Sequence, residues 1–467
     1  MRTTSNTNST MKTRIEDSMP FGVIEISSLL IESGISTQLV GGCIRDMAIG
    51  RDPHDWDLAV SYPIDTCVSV LSAAGVRIEP TGLGHGTVTA ITDDGTYEIT
   101  EYRGSAPSDA TLETDLAHRD FTMNAIAYDI SSGEIIDPSG GLHDIAMKTV
   151  RAVDDAGERF AEDGLRVLRA ARQAAELGFS IEYGTSRAMH ESCGGIAAAS
   201  VERQAAELRK LLVSDSWRLR QILLEYPDVI AAAIPEISPC VGFPQYTKWH
   251  CYDVYRHMVE VCCGVSPDFR LRLAALLHDI GKPCSEIYVD GRQHFYGHQG
   301  PSATIADGIC SRLRLDNATR CDVVNLVRHH DDMAYPVTER NVRRLLLRLG
   351  SRGMFGMWYE IRRADILAHS EEAWHGESRG VECCDAAMSL YAELDGKGLT
   401  ASVRELDIDG NDLMSIGYGQ GPEIGNELRR LLGLITDGEI ENGKEDLIEQ
   451  AKRDFESMEN VDCDKDV

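Results

Sequence analysis

The feature that most constrains this chain is the stretch of residues 39–61, LVGGCIRDMAIGRDPHDWDLAVS. Alternating apolar and polar positions around Asp57 predict a strand, and side chains two positions apart on a strand share a face. Asp55 and Asp57 would therefore present two carboxylates side by side, a pair that suits Mg²⁺ bound together with substrate phosphates. The glycine pair at 41–42 precedes a predicted helix and lets backbone N–H groups approach an anion closely. Either motif alone is more often a solvated strand end or a turn, but together, with Arg45 between them, they favour a metal-dependent phosphate site.

Length and composition bound the class of protein. A chain of 467 residues with 43% apolar and 26% charged residues predicts two to four folded domains. No apolar run approaches about 18 residues, and the first 20 residues are polar. We therefore expect neither a membrane span nor secretion, and a cytoplasmic protein. The 13 cysteines form no CxxC pair, which is typical of reduced thiols rather than of a zinc ribbon or a disulfide framework.

The net charge limits how this chain could bind nucleic acid. A formal charge of −29 argues against indiscriminate binding, because contacts with phosphates supply most of that affinity. An RNA site would have to be a local basic surface on an acidic body. Two arginine-rich stretches, residues 166–172 and 343–348, are the candidates.

Two further motifs lie before Val153, where short strand-like runs alternate with helices. The predicted strand at 97–102 carries Glu98, which could add a third carboxylate, although a glutamate at a strand edge is more often a surface residue. Residues 118–125, HRDFTMNA, contain an Arg-Asp pair that would by itself more often close a turn. The mixture of elements predicts a small α/β head with a mostly antiparallel or mixed sheet.

Helical periodicity begins near Glu158, and residues 162–172, EDGLRVLRAAR, place Asp163, Arg166 and Arg169 three residues apart. That spacing keeps the three side chains on one side of a helix. A carboxylate accepts from the exocyclic amine of cytosine or adenine, and a guanidinium donates to ring acceptors, so this set could choose bases without a template strand. An amphipathic helix with a salt-bridged face is the alternative interpretation.

A second group of metal-ligand residue types lies between residues 251 and 370. The motifs are HMVEV from His257, LLHDIGK at 276–282, YGH at 296–298, RHHD at 328–331 and RADI at 363–366. Imidazoles mixed with carboxylates suit a divalent transition metal or Mg²⁺. A single histidine of this kind is more often a core or surface residue, so the prediction depends on the ordered set.

The stretch 39–61 resembles the signature of polymerase-β-type nucleotidyltransferases. It is similar in particular to the bacterial class II tRNA nucleotidyltransferases (CCA-adding enzymes) and the related poly(A) polymerases. HRDFTMNA resembles the family's RRDFTxNA block, EDGLRVLR its EDPLRxLR block, and residues 410–425 its C-terminal region. The second group of motifs resembles the HD phosphohydrolase superfamily. The likeness extends from Leu39 to about Asn442.

This resemblance implies an α+β protein with a small polymerase-β-type head, followed by an all-α neck, body, HD domain and tail. The expected divisions are a disordered N-terminus at 1–20, the head at 21–153, a nucleobase-reading and RNA-binding neck at 154–212, a body or linker at 213–250, the HD domain at 251–395 and a tRNA-binding helical tail at 396–467.

The resemblance also implies roles for single residues. Asp55, Asp57 and Glu98 would be catalytic, with Mg²⁺ held by Asp55 and Asp57. The nucleotide-binding set would be Gly41, Gly42, Arg45, Arg119, Asp120, Asp163, Arg166, Arg169 and Arg172. In the HD domain a divalent metal would be held by His257, His278, Asp279 and Asp365, with His298 and His329 completing a two-metal site.

The resemblance implies template-independent addition of CCA to tRNA 3′ ends from CTP and ATP. An HD phosphohydrolase side activity is possible in such a protein. The resemblance gives no expectation for the oligomeric state. Three alternatives stay open. Only about fifteen residues separate Arg103 from Arg119, and related enzymes with this segment cut down tend to add only CC, leaving the final A to a partner enzyme. A poly(A) polymerase would extend many RNAs with A alone, and an HD phosphohydrolase would use the head only to bind RNA.

Two departures from the family pattern are His118 in place of an arginine and Gly164 in place of a proline, and the second predicts a slightly later helix start.

Overall fold

The computed structural model describes residues 11–82, 86–104, 110–247, 249–332, 336–370 and 380–463. The chain forms two compact units, Met1–Leu211 and Leu212–Val467. The first contains a mixed sheet with helices and the second is mostly helical, so the predicted α+β class is confirmed. Part of the N-terminal segment predicted to be disordered lies outside the described residues, and residues 11–18 within it are helical.

A seven-stranded sheet is the centre of the first unit. Its strands are β1 (Thr37–Val40), β2 (Asp57–Val60), β3 (Arg77–Gly82), β4 (Thr87–Thr92), β5 (Gly95–Glu101), β6 (Ala127–Asp129) and β7 (Glu134–Ile136). They lie in the order β3-β4-β5-β2-β1-β6-β7, and neighbours are antiparallel except for β2 and β5, which are parallel. The helices that accompany the sheet are Phe21–Glu32, Gly42–Ala48, Ile64–Ala73, Leu112–Ala117 and Gly141–Ala146.

The centre of the sheet places a turn next to the first residue of β2. Leu39 and Leu58 are register partners of β1 and β2, and both are fully buried. Val40 ends β1 opposite Asp57. The next residue, Gly41, has a φ of 79°, in the left-handed region that favours glycine, and the chain then enters the helix Gly42–Ala48.

The remainder of the first unit is a set of helices that form the neck. They are Ala156–Glu162, Leu165–Leu177, Tyr183–Ser192 and Val201–Leu212, with a short parallel strand pair at Thr149–Val150 and Ser180–Ile181. The predicted helix containing Asp163, Arg166 and Arg169 together is wrong at its start. Asp163 has extended backbone after the helix Ala156–Glu162, and the next helix begins at Leu165.

Close packing of two glycines explains this late helix start. A Cβ placed on Gly164 would lie 2.2 Å from the carbonyl oxygen of Gly195. Only glycine fits at that distance, so the backbones of residues 164 and 195 approach where a proline ring would collide. The glycine that replaces the expected proline therefore belongs to the packing of the neck, and the helix begins one residue after it.

The second unit is built from helices and one hairpin. The helices are Ser216–Glu225, Pro227–Ala233, Val254–Gly264, Phe269–Leu277, Gln299–Arg312, Asn317–His329, Glu339–Leu349, Arg352–Leu367, Gly380–Gly396, Gly410–Ile416, Pro422–Asp437 and Lys444–Cys463, and the hairpin strands are Ile287–Val289 and Arg292–His294. Aspartates set several helix starts, since Asp253, Asp268 and Asp316 accept hydrogen bonds from backbone N–H groups of the first turn. Among the residues that the structure describes, no helix has the length and apolar character needed to cross a membrane.

Candidate functional site

Three predicted carboxylates lie near one another at the start of β2. Asp57 pairs in parallel register with Glu98 of β5, so the two side chains leave the same face of neighbouring strands. Asp55 is exposed two residues earlier, whereas the intervening Trp56 is buried. Burial and the charges of Glu98 and Asp55 raise the pKa of Asp57 to about 6, against a lowering effect of Arg119. A divalent cation would relieve this crowding of negative charge.

The glycine turn and Arg119 lie against the same carboxylates. A Cβ placed on Gly41 would lie 2.9 Å from Nη1 of Arg119 and 3.7 Å from Oδ2 of Asp57. Arg119 donates to Asp115 from Nε at 3.2 Å and from Nη2 at 3.0 Å, which holds its third nitrogen beside the turn. Glycine at position 41 thus lets a guanidinium and a carboxylate both approach the backbone.

Arg45 lies next to the second glycine of the turn, and its guanidinium donates to two neighbouring side chains. The Cβ position of Gly42 is 3.5 Å from Nη2 of Arg45. The guanidinium donates to Oδ1 of Asp46 at 2.8 and 2.9 Å and to Oδ1 of Asn124 at 2.9 Å. Arg45 is therefore fixed in place beside the helix that starts at the turn.

Asp120 is buried, and both of its carboxylate oxygens accept hydrogen bonds within the protein. Oδ1 accepts from the backbone N–H of Phe121 and from Nδ2 of Asn124, both at 2.9 Å, and Oδ2 accepts from Nη1 of Arg169 at 3.0 Å. Burial raises the pKa of Asp120, but Arg169 and Asn124 outweigh it and lower the pKa below its ordinary value. The predicted binding of a nucleotide by Asp120 would have to replace one of these bonds.

Arg166 holds the loop before Arg119 against the neck. It is 8% exposed and donates to Glu162 at 2.7 Å, to the carbonyl of Arg159 at 3.1 Å and to the carbonyl of His118 at 2.8 Å. Its donors face protein acceptors, so Arg166 connects head and neck and does not form an exposed basic surface.

Arg169 and Arg172 are neutralised by a shared carboxylate. Glu207 accepts from Nε of Arg169 at 3.3 Å and from Nε of Arg172, and Arg172 also donates to Glu176 at 2.5 Å. The predicted basic surface at 166–172 is therefore not open, because acidic groups compensate it.

The other predicted basic stretch, residues 343–348, is compensated in the same way. Arg344 donates to Asp437 at 2.6 and 3.0 Å, and Arg348 lies 2.6 Å from Oδ2 of Asp332. An RNA-binding surface on this chain therefore depends on exchange of these ion pairs for phosphates.

Asp163 is shared with a surface arginine. Its Oδ1 accepts from the backbone N–H of Leu165 at 3.1 Å, and its Oδ2 accepts from Nη2 of Arg203 at 2.5 Å. Burial raises the pKa of Asp163, but the hydrogen bonds from Arg203 and Leu165 have the larger effect and bring the pKa below its ordinary value. Because Arg203 is exposed, a ligand can displace it without opening the core.

The histidines and aspartates of the second unit form a buried cluster. Nε2 of His257 lies 3.3 Å from Nε2 of His278, and Oδ2 of Asp279 lies 3.4 and 3.2 Å from these two nitrogens. Oδ1 of Asp365 lies 3.0 Å from Nε2 of His257, and Oδ1 of Asp279 lies 2.9 Å from Nε2 of His298. These spacings bring the atoms close enough to share metal ions.

His330 completes this cluster in place of the predicted His329, which is a correction to the sequence analysis. Nε2 of His330 lies 3.3 Å from Nε2 of His298 and 3.7 Å from Oδ1 of Asp279. His329 instead binds Asp332 through Nδ1 at 2.9 Å. Consecutive residues of a helical turn point about 100° apart, so only one of two adjacent histidines can face the cluster.

Backbone carbonyls fix the orientation of the cluster histidines. Nδ1 of His278, His298 and His330 donates to the carbonyl three residues earlier, at 2.7, 2.9 and 2.7 Å. With Nδ1 bonded to the backbone, each Nε2 faces the cluster, where it would bind a metal ion through its lone pair. Such hydrogen bonds are the usual support of histidine ligands to a metal.

Positive neighbours keep the two buried aspartates ionised. Burial raises the pKa of Asp279, but the charges of His278 and Lys282 bring it well below its ordinary value. Burial also raises the pKa of Asp365. The charges of His369 and Arg362 and the hydrogen bond with His257 outweigh that effect and bring the pKa well below its ordinary value. Ionised carboxylates beside imidazole lone pairs are the chemistry of a divalent metal site.

Family models match three segments of the chain. The poly A polymerase head domain matches residues 37–151, the probable RNA- and SrmB-binding site of polymerase A matches 178–240, and the HD domain matches 249–349. A CCA-adding enzyme of Streptococcus pyogenes serotype M2 (strain MGAS10270) is 39% identical over 221 residues, which cover 45% of this chain and 52% of the relative. The chain thus spans about half the length of the curated relatives it matches.

Solved structures share the fold over almost the whole chain. The Bacillus stearothermophilus CCA-adding enzyme in complex with CTP is 24% identical, with a TM-score of 0.66 over 94% of this chain and 98% of that one. The Thermotoga maritima CCA-adding enzyme complexed with tRNA(CCA) is 18% identical, with a TM-score of 0.60 over 95% and 98%. The head matches the poly A polymerase head-domain model, and the chain has the fold of the CCA-adding enzyme structures.

The predicted motifs of the head lie close together in this structure, but in some of them the polar atoms are already bonded to the protein. The three carboxylates, the glycine turn and Arg119 surround one point of the sheet. Arg45 and Asp120 lie next to that point with their polar atoms bonded to the protein. The neck residues follow them but are held by acidic partners.

Two residues beside the HD cluster are in no sequence motif. His250 and His369 line the same pocket as the cluster. A signal for His369 exists, since it follows Asp365 by four residues, two residues after the end of the helix Arg352–Leu367. His250 precedes its helix in a loop, where spacing carries no such signal.

Proposed function

We propose that this protein is a template-independent tRNA nucleotidyltransferase that adds CCA to tRNA 3′ ends from CTP and ATP. The convergence of Asp55, Asp57 and Glu98 beside the Gly41 turn carries the proposal. In the reaction the tRNA 3′-hydroxyl attacks the α-phosphorus of the nucleotide, and pyrophosphate leaves. The names of the relatives, CCA-adding enzymes, support the choice of tRNA, CTP and ATP as partners, and tRNA maturation of this kind would take place in the cytoplasm.

The residues present fit a divalent cation in the head. Asp55 and Asp57 would hold Mg²⁺, with Glu98 as a third carboxylate, because hard oxygen ligands in a crowded group match that ion. The raised pKa of Asp57 supports this fit, since burial first and then repulsion by Glu98 and Asp55 disfavour its ionised form, and a cation would offset both. When bound, Mg²⁺ supplies positive charge at the triphosphate and lowers the pKa of the attacking hydroxyl.

The glycine turn and Arg119 would bind the triphosphate. The backbone N–H of Gly42 stands at the start of the helix Gly42–Ala48, where it would donate to a phosphate oxygen, while the N–H of Gly41 donates to the carbonyl of Ile126 at 3.3 Å. Nη1 of Arg119 lies beside the same turn and would add a charged donor. Arg45 supports the turn from the side of Gly42, and Asp120 supports the sugar side of the site.

Asp163 and Arg166 would select the base. The carboxylate of Asp163 is the natural acceptor for the exocyclic amine of cytosine or adenine after Arg203 is displaced. Arg166 would donate to the base acceptors by exchanging its bond to Glu162. Arg169 and Arg172 keep the neck in place through Glu207. Uracil and guanine would place a carbonyl oxygen opposite the Asp163 carboxylate and be rejected.

The second unit would hold divalent metal for a phosphohydrolase side activity. Its ligands would be His257, His278, Asp279, His298, His330 and Asp365. Asp279 lies within reach of both halves of the cluster, so one of its oxygens would be available to each half. Lys282 and Arg362 border the same pocket and suit a phosphate-bearing substrate.

A CC-adding enzyme is the second candidate. The short segment between Arg103 and Arg119 favours it, and residues 105–109 of that segment lie outside the described residues. In such an enzyme the head and neck would act as proposed for CTP, and a partner enzyme would add the final A.

Sequencing of reaction products distinguishes these functions. Transcripts of one tRNA ending before CCA, after C and after CC are incubated with Mg²⁺ and with each nucleotide singly or in mixture. We expect CCA on the first transcript and no addition from UTP or GTP. Products that stop at CC support the second candidate, and long A tails on an unrelated RNA identify a poly(A) polymerase. Release of phosphate without any addition would leave the head as an RNA-binding module and refute the proposal.

A further inference from the structure

A stacked pair of aromatic side chains lies beside the HD cluster. The rings of His294 and Tyr296 have centroids 4.7 Å apart and planes only 14° from parallel. Tyr296 is nevertheless 68% exposed. Both residues line a cavity of about 430 Å³ that is also lined by cluster residues, among them His298 and Asp365. A ring that is supported on one side and exposed on the other can stack with a flat ligand.

The alternation of the chain explains why these two rings face the cavity. Gln293 and Phe295 are buried, whereas His294 is half-buried and Tyr296 is exposed. Successive side chains of an extended segment point to opposite sides. Phe295 packs edge-on against Phe243, with the ring centroids 6.3 Å apart. The buried residues therefore anchor the segment and leave the stacked pair on its outer side.

A tight turn connects Tyr296 to a cluster histidine. The backbone N–H of His298 donates to the carbonyl of Phe295 at 3.2 Å, and Nδ1 of His298 donates to the same carbonyl at 2.9 Å. Gly297, inside the turn, has a φ of 74°, in the region that favours glycine. Two residues of chain limit the distance between the Cα atoms of Tyr296 and His298 to about 7 Å. This span is comparable with the length of a ribose phosphate.

The same cavity has groups that suit a phosphate. Nζ of Lys282 lies 2.6 Å from Oδ2 of Asp279, and Nη1 of Arg362 lies 2.7 Å from Oδ2 of Asp365. Cations beside the proposed metal ligands can bind phosphate oxygens. A further aromatic residue, Trp249, lines the cavity and is 38% exposed. The cavity thus combines phosphate-binding groups with exposed aromatic rings, which match the two ends of a nucleotide.

We propose that Tyr296, supported by His294, is a stacking platform for the base of a nucleoside phosphate whose phosphate group binds at the HD cluster. Every base has a π face, so stacking of this kind tolerates all bases. The site therefore favours nucleotides over phosphate esters that lack a base, without selecting one base. The inference rests on the proposed metal-dependent HD centre, because it assigns the substrate class of that centre and the residue that distinguishes it.

Two ligands that differ only by the base test the platform. Adenosine 5′-monophosphate and ribose 5-phosphate are titrated into the full chain after it is stripped with chelator and loaded with Co²⁺. The visible band of cobalt bound to imidazoles reports binding at this cluster and not at the carboxylates of the head. The variants are Tyr296→Ala and Tyr296→Phe, of which the second keeps an aromatic ring.

Tyr288→Ala is the matched control. Tyr288 is on the same hairpin, is 60% exposed and donates from its hydroxyl to Glu286 at 3.2 Å. Among the residues that the structure describes, it is not part of the cavity lining. A general effect of removing an exposed tyrosine from this hairpin would therefore affect Tyr288→Ala and Tyr296→Ala alike.

We expect the wild-type protein to bind adenosine 5′-monophosphate about tenfold more tightly than ribose 5-phosphate. Tyr296→Ala should lose this preference and keep its affinity for ribose 5-phosphate, whereas Tyr296→Phe and Tyr288→Ala should keep the preference. Equal affinities in the wild type, no spectral change with either ligand, or an unchanged preference in Tyr296→Ala would refute the platform and leave the metal centre standing. Absence of the cobalt band from the wild-type protein would refute both.

Discussion

The buried Asp120 and the half-buried Arg169 form an ion pair, 3.0 Å between Oδ2 and Nη1, that joins the loop after Arg119 to the neck helix. Asn124 extends this contact. Its Nδ2 donates to Asp120 at 2.9 Å and to Gln173 at 3.2 Å, and its Oδ1 accepts from Arg45. One hydrogen-bond network thus connects the glycine turn with the helix proposed to read the base.

Loss of the Arg169 guanidinium should destabilise the first unit. The variant Arg169→Ala leaves the buried carboxylate of Asp120 without its charged partner, and we expect the free energy of unfolding to fall by about 3 kcal/mol. The matched control is Arg187→Ala, whose exposed contact with Glu191 spans 3.6 Å and should contribute about 0.5 kcal/mol or less. Urea unfolding followed by circular dichroism measures both, and equal losses in the two variants would contradict the network.

Asp163 should determine the choice of nucleotide. In Asp163→Ala the acceptor for the exocyclic amine is gone, so we expect incorporation of UTP and GTP to rise relative to CTP by about tenfold or more, equivalent to about 1.4 kcal/mol of lost discrimination. Single-nucleotide incorporation assays on a truncated tRNA give the ratios. Arg203→Ala removes the partner but keeps the carboxylate and should keep the preference. An unchanged preference in Asp163→Ala would rule out base reading by this residue.

Gly164 should tolerate no side chain. A methyl group at this position would collide with the backbone of Gly195, and we expect Gly164→Ala to lower the free energy of unfolding by about 1–3 kcal/mol. Gly194→Ala is the control, since a Cβ there meets no atom within 4 Å among the residues described. Thermal melts of the two variants give the comparison. A melting temperature of Gly164→Ala equal to that of the control would show that the two backbones do not approach so closely.

A buried glutamate should make the C-terminal helices less stable at alkaline pH. Burial and the neighbouring Asp454 raise the pKa of Glu427 to about 7, against Arg430, whose Nη1 lies 3.9 Å away, and Tyr418. Because this value exceeds the ordinary glutamate pKa, the stability from the protonated form is complete below about pH 4.3 and is lost as the pH rises to about 7.

Glu427→Gln should therefore stabilise the protein at pH 8, by up to about 3 kcal/mol, and have little effect near pH 4.5. Urea titrations at the two pH values measure this difference. Glu441→Gln, at an exposed position, is the control. A pH-independent effect of Glu427→Gln would exclude a raised pKa.

The sequence predicted best where one local pattern decides the structure. The alternation around Asp57 predicted β2, although that strand begins at Asp57 and Asp55 lies in the loop before it. A strand-like run predicted β5, and its parallel register with β2 puts Glu98 beside Asp57. The choice between His329 and His330 also had a local signal. Val323, Leu326 and Val327 precede His330 by seven, four and three residues and are all buried, so His330 continues the buried face of that helix.

Local sequence patterns could not predict contacts between segments that are distant in the sequence. The start of the neck helix depends on the approach of Gly164 to Gly195, 31 residues later. The neck arginines are bonded to partners from other segments. Arg169 donates to Glu207, on a different helix, and Arg166 donates to the carbonyl of His118. Charge spacing alone cannot distinguish an arginine that faces RNA from one that faces a carboxylate of its own fold.

The central claim is that the Asp57 carboxylate takes part in nucleotidyl transfer. Its most direct test is the single-turnover rate of CMP addition to a tRNA lacking CCA, for wild type, Asp57→Asn and the control Asp52→Asn. Asp52 lies five residues earlier, in the loop before β2, and its side chain is 99% exposed. We expect Asp57→Asn to lose activity on the order of a thousandfold while its melting temperature in chelator is equal or higher, because the crowding of charge with Glu98 is relieved. A folded Asp57→Asn protein that adds CMP as fast as Asp52→Asn would contradict the account.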